Sequence, residues 1–340
     1  MKQFGKSLSF LGIAVLTLSI TIVLILMVGS NVDQAFSSFL SGIFGSFYSV
    51  SEVLVKATPL ILTGLGVAVG SRSGFINIGA EGQLYMGAIA VTCIAFWLHD
   101  LPAMVMIPLV ILGGFVFGGV WSAVPGFLKV RFGISEVITT LMFNYIAISI
   151  VGILVRTSLK DPSNSLPMSA FLPDGATLPT LMSSTRLHAG LLVALISVVL
   201  VWLLVWKTPT GYQMRAVGLN PRACKCSGIS VYKNIILSSL ISGGLAGIAG
   251  VCEVSGLHHK LLEGISPGYG YIAIIVALLG KNHPVGVVIS ALGIAALQIG
   301  SLGMQRMADV PTSISSIILG VVVLLILARK SIFRRLLTDE

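Results

Sequence analysis

The stretch from Ala103 to Phe127 reads AMVMIPLVILGGFVFGGVWSAVPGF and contains no charged side chain in 25 residues. An apolar run of this length is typical of a transmembrane helix, because roughly 20 helical residues cross the hydrocarbon core of a bilayer. Similar runs lie on both sides of it. The ten runs cover, approximately, residues 8–28, 52–70, 82–98, 103–127, 134–155, 189–206, 234–253, 271–280, 284–303 and 312–328. The sequence therefore predicts an all-α polytopic membrane protein with about ten transmembrane helices.

The composition of the whole chain supports this prediction. Of 340 residues, 55% are hydrophobic and 10% are charged, and 38 are glycine. A typical soluble domain is about 25% charged, so a soluble fold of this size could not cover its surface with these residues. The same numbers exclude disordered, collagen-like and disulfide-scaffold proteins. We expect residues 1–340 to form a single membrane domain.

The charged residues predict the topology of this domain. With a cytoplasmic N-terminus and ten alternating spans, 15 of the 21 Lys and Arg residues fall inside and eight of the twelve acids fall outside. Cytoplasmic loops carry an excess of Lys and Arg. Both termini are therefore predicted to be cytoplasmic. The net charge of +9 is interpreted as loop charge, and nucleic acid is not expected as a partner.

The segments outside the central spans have individual predictions. Residues 8–28 form a first span rather than a signal peptide, because the apolar core of a signal peptide has only about 7–15 residues. Residues 34–48 place aromatic and aliphatic side chains at helical spacing, which indicates an interfacial helix or, alternatively, an irregular extra span. Residues 52–328 form the membrane core, with a cytosolic loop at 207–233, and residues 329–340 form a cytosolic tail.

The first candidate site is the stretch RSGFINIGAEGQ, residues 72–83, between two apolar runs. Glycines permit sharp turns, and non-helical backbone at membrane depth persists only where protein or a wet cavity surrounds it. A carboxylate at the start of a span is costly unless it is paired or functional. Asn77, Glu81 and Gln83 are therefore candidates for the lining of a polar path. The alternative is a cytosolic turn in which Glu81 favours a helix N-terminus.

The second candidate site is SEVITTLMFNY, residues 135–145. Ser135 fits a helix N-cap, and the acid that follows it fits the positive end of the helix. Asn144 lies inside the predicted span. It either forms hydrogen bonds between helices or lines a polar path.

The third candidate site is the inner loop GYQMRAVGLNPRACKCSGI, residues 211–229. Asn220 fits an N-cap, Pro221 the first helical position and Gly228 the residue after a helix end. These residues predict a short helix over Pro221–Ser227 that would serve as a docking element for another protein. The alternative is a solvated basic loop.

Several kinds of chemistry are not expected. The four cysteines show neither a disulfide framework nor metal-ligand spacing, and the histidines lack a second ligand at metal spacing. No nucleophile and base are paired, so the chain is not expected to be an enzyme. Lys281 follows a glycine but lacks the rest of a phosphate-binding loop. The chain is therefore expected to hold no cofactor, and any ATP would be bound by another chain.

Together these segments resemble the membrane permease subunits of ABC importers of the branched-chain amino acid, ribose and nucleoside type. Within that group the resemblance is to nucleoside and simple-sugar permeases that work with basic-membrane-protein-type binding lipoproteins. It covers roughly residues 50–330. The stretches that carry it are Ser73–Gln83, Ser135–Tyr145, Leu172–Pro179, Arg186–His188, Gly211–Ile229 and Gly264–Gly286.

The resemblance implies roles for the candidate residues. Asn77, Glu81, Gln83 and Asn144 would lie near the translocation path. Pro221–Ser227 would be the coupling helix that docks on the ATP-binding subunit. The coupling residues implied are Arg215, Gly218, Asn220, Pro221, Arg222, Ala223 and Gly228. Cys224-Lys225-Cys226 departs from the residues usual in the family, which puts the details of the contact with the ATP-binding subunit in doubt.

The resemblance also implies partners and a location. The chain would form half of a pore in a prokaryotic plasma membrane, with a second and different permease chain, ATP-binding subunits and an extracytoplasmic solute-binding protein or lipoprotein. The solute would be a nucleoside or, alternatively, a pentose-type sugar. An ion-coupled secondary transporter is a further alternative, but it predicts carboxylates deep in several spans, whereas the acids here fall mostly in predicted outer loops.

Overall fold

The computed structural model describes residues 19–311 without a gap, together with residues 16, 313, 314, 316–318, 320 and 321. Within these residues the chain is helical and contains no β-strand, only isolated bridges between loop residues. The described helices are α1 (Ser19–Met27), α2 (Val32–Phe44), α3 (Phe47–Arg72), α4 (Ala80–Trp97), α5 (Ala103–Phe132), α6 (Glu136–Leu154), α7 (Gly190–Lys207), α8 (Pro209–Leu219), α9 (Pro221–Cys226), α10 (Val231–Cys252), α11 (Tyr269–Leu279) and α12 (Pro284–Ala308).

Six of these helices are long and apolar enough to cross a membrane: α3, α5, α6, α7, α12 and α10 with its continuation to His258. A seventh span results if α1 and α2, which meet at 113°, form one broken span. The predicted all-helical membrane architecture is confirmed. Helices α4 and α11 occupy two further predicted runs, whereas 10 of the 21 residues in 8–28 and 10 of the 17 residues in 312–328 lie outside the described residues. The number of ten spans stays a prediction.

The chain forms two compact units, of which the smaller comprises residues 1–53 and 292–340. In its described part, α2 packs against the second half of α12. A Cβ at Gly42 would lie 3.0 Å from the backbone of Gly303, so the two helices touch without intervening side chains. The Gln34 amide also donates to the Met307 carbonyl at 3.0 Å. The segment predicted as an interfacial helix, 34–48, is thus largely the helix α2.

The larger unit comprises residues 54–291 and contains all of the candidate sites. Its centre is built by glycines on α5 and α10. A Cβ added at Gly247 would lie 2.0 Å from the Gly114 carbonyl oxygen, and one at Gly118 would lie 2.4 Å from the Gly243 carbonyl oxygen. Small residues allow membrane helices to approach this closely, where van der Waals contact replaces the hydrophobic effect. These glycines therefore serve the close packing of α5 against α10.

Burial separates the helices of the membrane core into two groups. In the spanning windows, α3 is 89% buried and α10 with its continuation is 78% buried, whereas α5, α6 and α7 are each 28% buried. The central helices α3 and α10 therefore hold the remaining elements in place. The outer helices leave apolar faces for lipid or for another membrane protein.

Candidate functional site

The glycine-rich loop between α3 and α4 runs alongside α6 into the interior of the larger unit. The Ile76 N–H lies 3.5 Å from the Glu136 carboxylate, at the first turn of α6, and the Ile78 N–H donates to Thr140 Oγ1 at 3.3 Å. One turn later the Gly82 N–H donates to Asn144 Oδ1 at 2.8 Å. Eight residues of α6 separate the first and last contacts, about 12 Å of helix. Helix α4 therefore begins deep inside the unit, not at its edge.

Asn77 and Gln83 hold the turn that starts α4. Their side-chain amides donate to each other, from Asn77 Nδ2 to Gln83 Oε1 at 2.8 Å and from Gln83 Nε2 to Asn77 Oδ1 at 3.0 Å. Asn77 also accepts from the Gly79 N–H at 2.9 Å and donates to the Ser242 hydroxyl of α10 at 2.8 Å. Asn77 and Gln83 are each only 1% exposed to solvent. This network satisfies buried polar atoms and joins the turn to α10.

Asn144 joins α6 to the same turn. Its oxygen accepts from Gly82, and its Nδ2 donates to the Ile78 carbonyl oxygen at 3.0 Å. Both partners are backbone groups that the start of α4 leaves without a helical partner. The residue is fully buried. Asn144 thus makes the interhelical hydrogen bonds that were one of its two sequence-based interpretations.

Glu81 lies at the N-terminus of α11. Its carboxylate accepts from the Gly270 N–H at 2.7 Å, and the Gly268 N–H and the Ser266 hydroxyl also face it. Gly270 has no room for a side chain, because a Cβ there would lie 2.0 Å from the Glu81 nitrogen. Free N–H groups and the helix dipole favour a negative charge at such a position. The carboxylate is 2% exposed and is held by the protein itself.

The predicted coupling helix is present as α9, one residue shorter than expected. The Asn220 side chain accepts from the Arg222 and Ala223 N–H groups, each at 3.1 Å, and Pro221 occupies the first turn. Gly228 has φ +74°, and the Ile229 N–H returns to the Cys224 carbonyl at 2.9 Å. Gly228 therefore ends the short helix in the left-handed conformation, as its position in the sequence predicted. Ser227 caps α9 rather than belonging to it.

Most of the predicted coupling residues lie at the surface, but Arg215 does not point outward. Gly218, Asn220, Pro221, Arg222, Ala223 and Gly228 are exposed. The Arg215 guanidinium is 6.0 Å from the Trp206 ring centre, and its Nε is buried. Arg72 approaches the same ring at 5.3 Å and donates to the carbonyls of Lys281 and Asn282. Arg215 thus belongs to an internal junction, while the other six residues lie on the exposed surface of α8 and α9, the surface that the sequence predicted to dock on another protein.

The exposed α8–α9 element touches the buried glycine-rich loop directly. A Cβ at Gly218 would lie 2.1 Å from the Arg72 carbonyl oxygen and 3.1 Å from the Gly74 nitrogen. Below this contact, Phe75, Val217, Cys224 and Ile235 form one buried apolar cluster. Lys129 binds the Gly74 carbonyl oxygen and the Glu136 carboxylate. The exposed surface of α8 and α9 and the start of α4 are therefore parts of one continuous packed structure.

Sequence reasoning missed a second buried carboxylate, Glu253. It begins a π-helical turn, Glu253–His258, that continues α10, and π-turns within helices occur often at functional sites. Its Oε2 lies 3.6 Å from His258 Nε2, and the residue is 2% exposed. The charge count placed Glu253 in an outer loop, whereas the structure places it in the helical continuation of α10. The signal in the sequence was the alternation of polar and small residues in EVSGLHH at the end of an apolar run.

His188 packs against this π-turn from the loop before α7. Its Nδ1 accepts from the Gly190 N–H at 3.1 Å, and a Cβ at Gly256 would lie 2.3 Å from the same nitrogen. Burial, and then the neighbouring His259, lower the pKa of His188 to about 4. His188 is therefore uncharged at neutral pH. Among the residues that the structure describes, no group of three or more His, Cys, Asp or Glu side chains could hold a metal ion.

Comparison with known proteins matches residues 49–327, which include every candidate residue, to the family described as branched-chain amino acid transport system / permease component. The guanosine ABC transporter permease protein NupP of Bacillus subtilis is 38% identical over 92% of this chain and 90% of its own length. The glucose ABC transporter permease protein TsgB13 of Haloferax volcanii is 34% identical over 88% of this chain and 82% of its own. The nucleoside ABC transporter permease protein NupB of Lactococcus lactis is 33% identical over 89% of this chain and 86% of its own length.

Proposed function

The chain belongs to the branched-chain amino acid transport system / permease component family, and from this premise we propose that it forms half of the pore of an ATP-driven nucleoside importer. The family resemblance seen in the sequence is thereby confirmed. Two of the relatives named above are described as guanosine and nucleoside permeases. The chain is a multi-pass membrane protein, and it is a transport subunit rather than an enzyme.

One observation carries the mechanical part of the proposal: the contact of Gly218 with the turn that follows Arg72. An ATP-binding subunit docked on α8 and α9 would push on a surface that rests directly on the Arg72–Gly74 backbone. The same turn continues to Asn77 and the buried start of α4. A movement of the docking surface would therefore reach the membrane interior without passing through a flexible linker.

The transport cycle requires that ATP favours one access state of the pore over the other. A shift from mostly closed to mostly open access requires a difference of several kcal/mol between the two states. In the described arrangement Asn77, Glu81, Gln83 and Asn144 are engaged in hydrogen bonds between helices and loops. We propose that these hydrogen bonds rearrange when access switches, which would place the four residues beside the path in another state.

The partners and topology follow from the family and from the charge pattern. We propose ten spans with both termini in the cytoplasm of a prokaryotic cell, so that α8 and α9 face the ATP-binding subunit. A second, different permease chain would complete the pore, and an extracytoplasmic solute-binding protein or lipoprotein would deliver the solute. ATP would be bound by the partner subunit, with no cofactor in this chain.

A simple sugar is the second candidate solute, because the relative from Haloferax volcanii is described as a glucose permease. Nucleosides and pentose-type sugars share the hydroxyl-rich ring. A permease path that recognises only this ring would carry both, and uptake measurements with both solutes separate the two candidates.

The test is uptake of radiolabelled guanosine, uridine and ribose by the complete transporter in a host that lacks its own nucleoside uptake. We expect nucleoside uptake that continues when the membrane potential and ion gradients are collapsed while ATP is maintained. Uptake of ribose alone would replace the nucleoside proposal with the sugar importer. Transport by the isolated chain on an ion gradient would overturn the ABC importer.

A further inference from the structure

Two exposed tyrosines, Tyr145 and Tyr271, flank the buried start of α4. Tyr145 follows Asn144, which binds the Gly82 N–H, and Tyr271 follows Gly270, which donates to Glu81. The Tyr271 hydroxyl forms a hydrogen bond with the Asn144 side chain, and Glu81 and Tyr145 are close enough to act on it electrostatically. Tyr145 is 57% exposed and Tyr271 is 37% exposed. Two polar aromatic side chains are thus exposed close together on the surface beside the start of α4.

The contacts of α6 indicate the depth of this place in the membrane. The first turn of α6 lies at the edge of the unit, where Glu136 pairs with Lys129. Tyr145 is nine residues further along, about 14 Å of helix. The hydrocarbon core is roughly 30 Å thick, so its midplane is roughly 15 Å from either edge. Tyr145 therefore lies near the middle of the bilayer.

The contacts of α11 give the same depth independently. After α11 ends, the carbonyls of Lys281 and Asn282 accept from Arg72, the last residue of α3. The 11 residues of α11 then span about 16 Å from this edge to its N-terminus. Helix α11 is thus half a span long, and Tyr271 lies in its first turn. Two elements place both tyrosines at the midplane.

Lipid is a poor environment for these side chains. Tyrosine is enriched where membranes meet water, because its hydroxyl needs a hydrogen-bonding partner. Polar groups at the centre of a bilayer generally face the interior of a bundle or a wet cavity. The face that carries Tyr145 and Tyr271 is therefore the side of this chain that borders the solute path.

The chemistry of the place suits a neutral, flat solute. The Glu81 carboxylate, which acts on Tyr271, is buried and taken up by the N-terminus of α11. The Tyr271 hydroxyl is already hydrogen-bonded to the Asn144 side chain, so the groups left to a solute are chiefly the two aromatic rings. Stacking of a nucleobase on an aromatic side chain contributes about 1–3 kcal/mol and tolerates different bases. We propose that Tyr145 and Tyr271 form an aromatic contact for the nucleobase of a nucleoside that crosses the midplane, an inference that rests on the proposed function.

The experiment compares uptake by the complete transporter carrying Tyr145→Leu, Tyr145→Phe, Tyr271→Leu or Tyr271→Phe. Leucine keeps an apolar side chain of similar bulk but removes the ring, whereas phenylalanine keeps the ring. We expect each leucine variant to lose at least tenfold in kcat/KM for guanosine and less for uridine, whose ring is smaller. Each phenylalanine variant should remain within threefold of the wild type. Phe117→Leu on α5 is the matched control, since Phe117 is also an exposed aromatic residue, at 45%.

Three results would overturn the inference. The first is a kcat/KM for guanosine in the leucine variants that stays within twofold of the wild type. The second is a loss in the phenylalanine variants as large as in the leucine variants, and the third is an equal loss in the Phe117→Leu control. Membrane abundance and basal ATPase activity are measured in every case, so that a folding defect is recognised. If a leucine variant is not inserted, the phenylalanine and methionine variants of the same position provide the ring-versus-no-ring comparison. A wild-type transporter that imports no nucleoside would refute the proposed function itself.

Discussion

Asn77 and Asn220 each accept a backbone N–H at the start of a helix, Asn77 from Gly79 just before α4 and Asn220 from the first turn of α9, but Asn77 lies inside the membrane domain and Asn220 at its surface. Because Asn77 is buried, its side-chain N–H groups also need acceptors within the protein, and they donate to Gln83 and Ser242. Asn220 is exposed, so water can satisfy the rest of its side chain. An asparagine at a helix start therefore ties several elements together when it is buried, and leaves a rigid free surface when it is exposed. The buried Asn77 should support the fold, and the exposed cap Asn220 should support coupling.

The largest effect is expected at the buried Asn77. Asn77→Ala leaves the Gly79 N–H, Gln83 and Ser242 without their partner in a site closed to water. Unpaired buried groups cost about 1–3 kcal/mol each, so the loss in stability should be about 2–4 kcal/mol after local relaxation. The measurements are the yield of monodisperse protein in detergent and its thermal unfolding midpoint.

Ser242→Ala is the matched control for this variant, because it removes a single partner from the same network. It should cost about 0.5–1.5 kcal/mol, as one hydrogen bond does. Equal stability of Asn77→Ala and the wild type would show that the buried network does not hold the turn. The contrast between the two asparagines would then fail.

The next effect is expected at Gly218, where the exposed element meets the buried turn. Gly218→Ala places a Cβ 2.1 Å from the Arg72 carbonyl oxygen, so the backbone of α8 or of the turn must move. We expect normal membrane abundance but about a tenfold loss of ATP-driven uptake, equivalent to roughly 1.4 kcal/mol of coupling free energy. ATPase activity and uptake are measured together, because uncoupling lowers uptake more than hydrolysis.

Gly293→Ala is the control for Gly218→Ala. Both glycines are helical, but a Cβ at Gly293 meets nothing within 4 Å. Alanine there should be neutral or slightly stabilising, because glycine costs about 0.5–1 kcal/mol within a helix. Normal coupling in Gly218→Ala would mean that the contact with the Arg72–Gly74 turn does not transmit motion.

A smaller effect is expected at the exposed cap. Asn220→Ala removes the acceptor for the Arg222 and Ala223 N–H groups, which costs about 1 kcal/mol in helix stability. Helix α9 should then fray, and uptake should fall by roughly fivefold, the factor that about 1 kcal/mol represents. Asn220→Ser keeps an acceptor and should restore most of the activity. A thermal midpoint lowered as much as in Asn77→Ala would contradict the comparison.

The comparison also explains what could be predicted from the sequence. The short helix α9 was predictable because Asn220, Pro221 and Gly228 encode its ends locally, within nine residues. The apolar runs predicted the long helices for a similar reason, since a run of apolar residues needs no information about its neighbours. Local signals therefore predicted these helices to within a few residues at each end, although they did not predict the helix α8.

The partners of the buried polar residues could not be predicted in the same way. Asn144 meets Gly82 across 62 residues, and Glu81 meets Gly270 across 189. These long-range contacts depend on how the helices pack against one another, and the periodicity of the sequence carries no information about that packing. Arg215 and Glu253 show the same limit: a guanidinium expected at a docking surface turns inward to Trp206, and a carboxylate is enclosed by a π-turn.

The smallest effect on activity is expected at Cys226, where chemical labelling gives the sharper measurement. Cys226 on α9 is exposed, whereas Cys224, two residues earlier, is buried against Phe75. A water-soluble maleimide should therefore label Cys226 and not Cys224, since thiol reactivity requires access. Binding of the ATP-binding subunit should slow the labelling by about tenfold or more if α9 is the docking surface, because a docked interface excludes the reagent. Cys226→Ser should abolish the signal and leave uptake nearly unchanged, because the side chain points away from the packed core. Labelling that proceeds at the same rate in the complex would place the docking surface elsewhere, and the exposed cap at Asn220 would then have only a structural role.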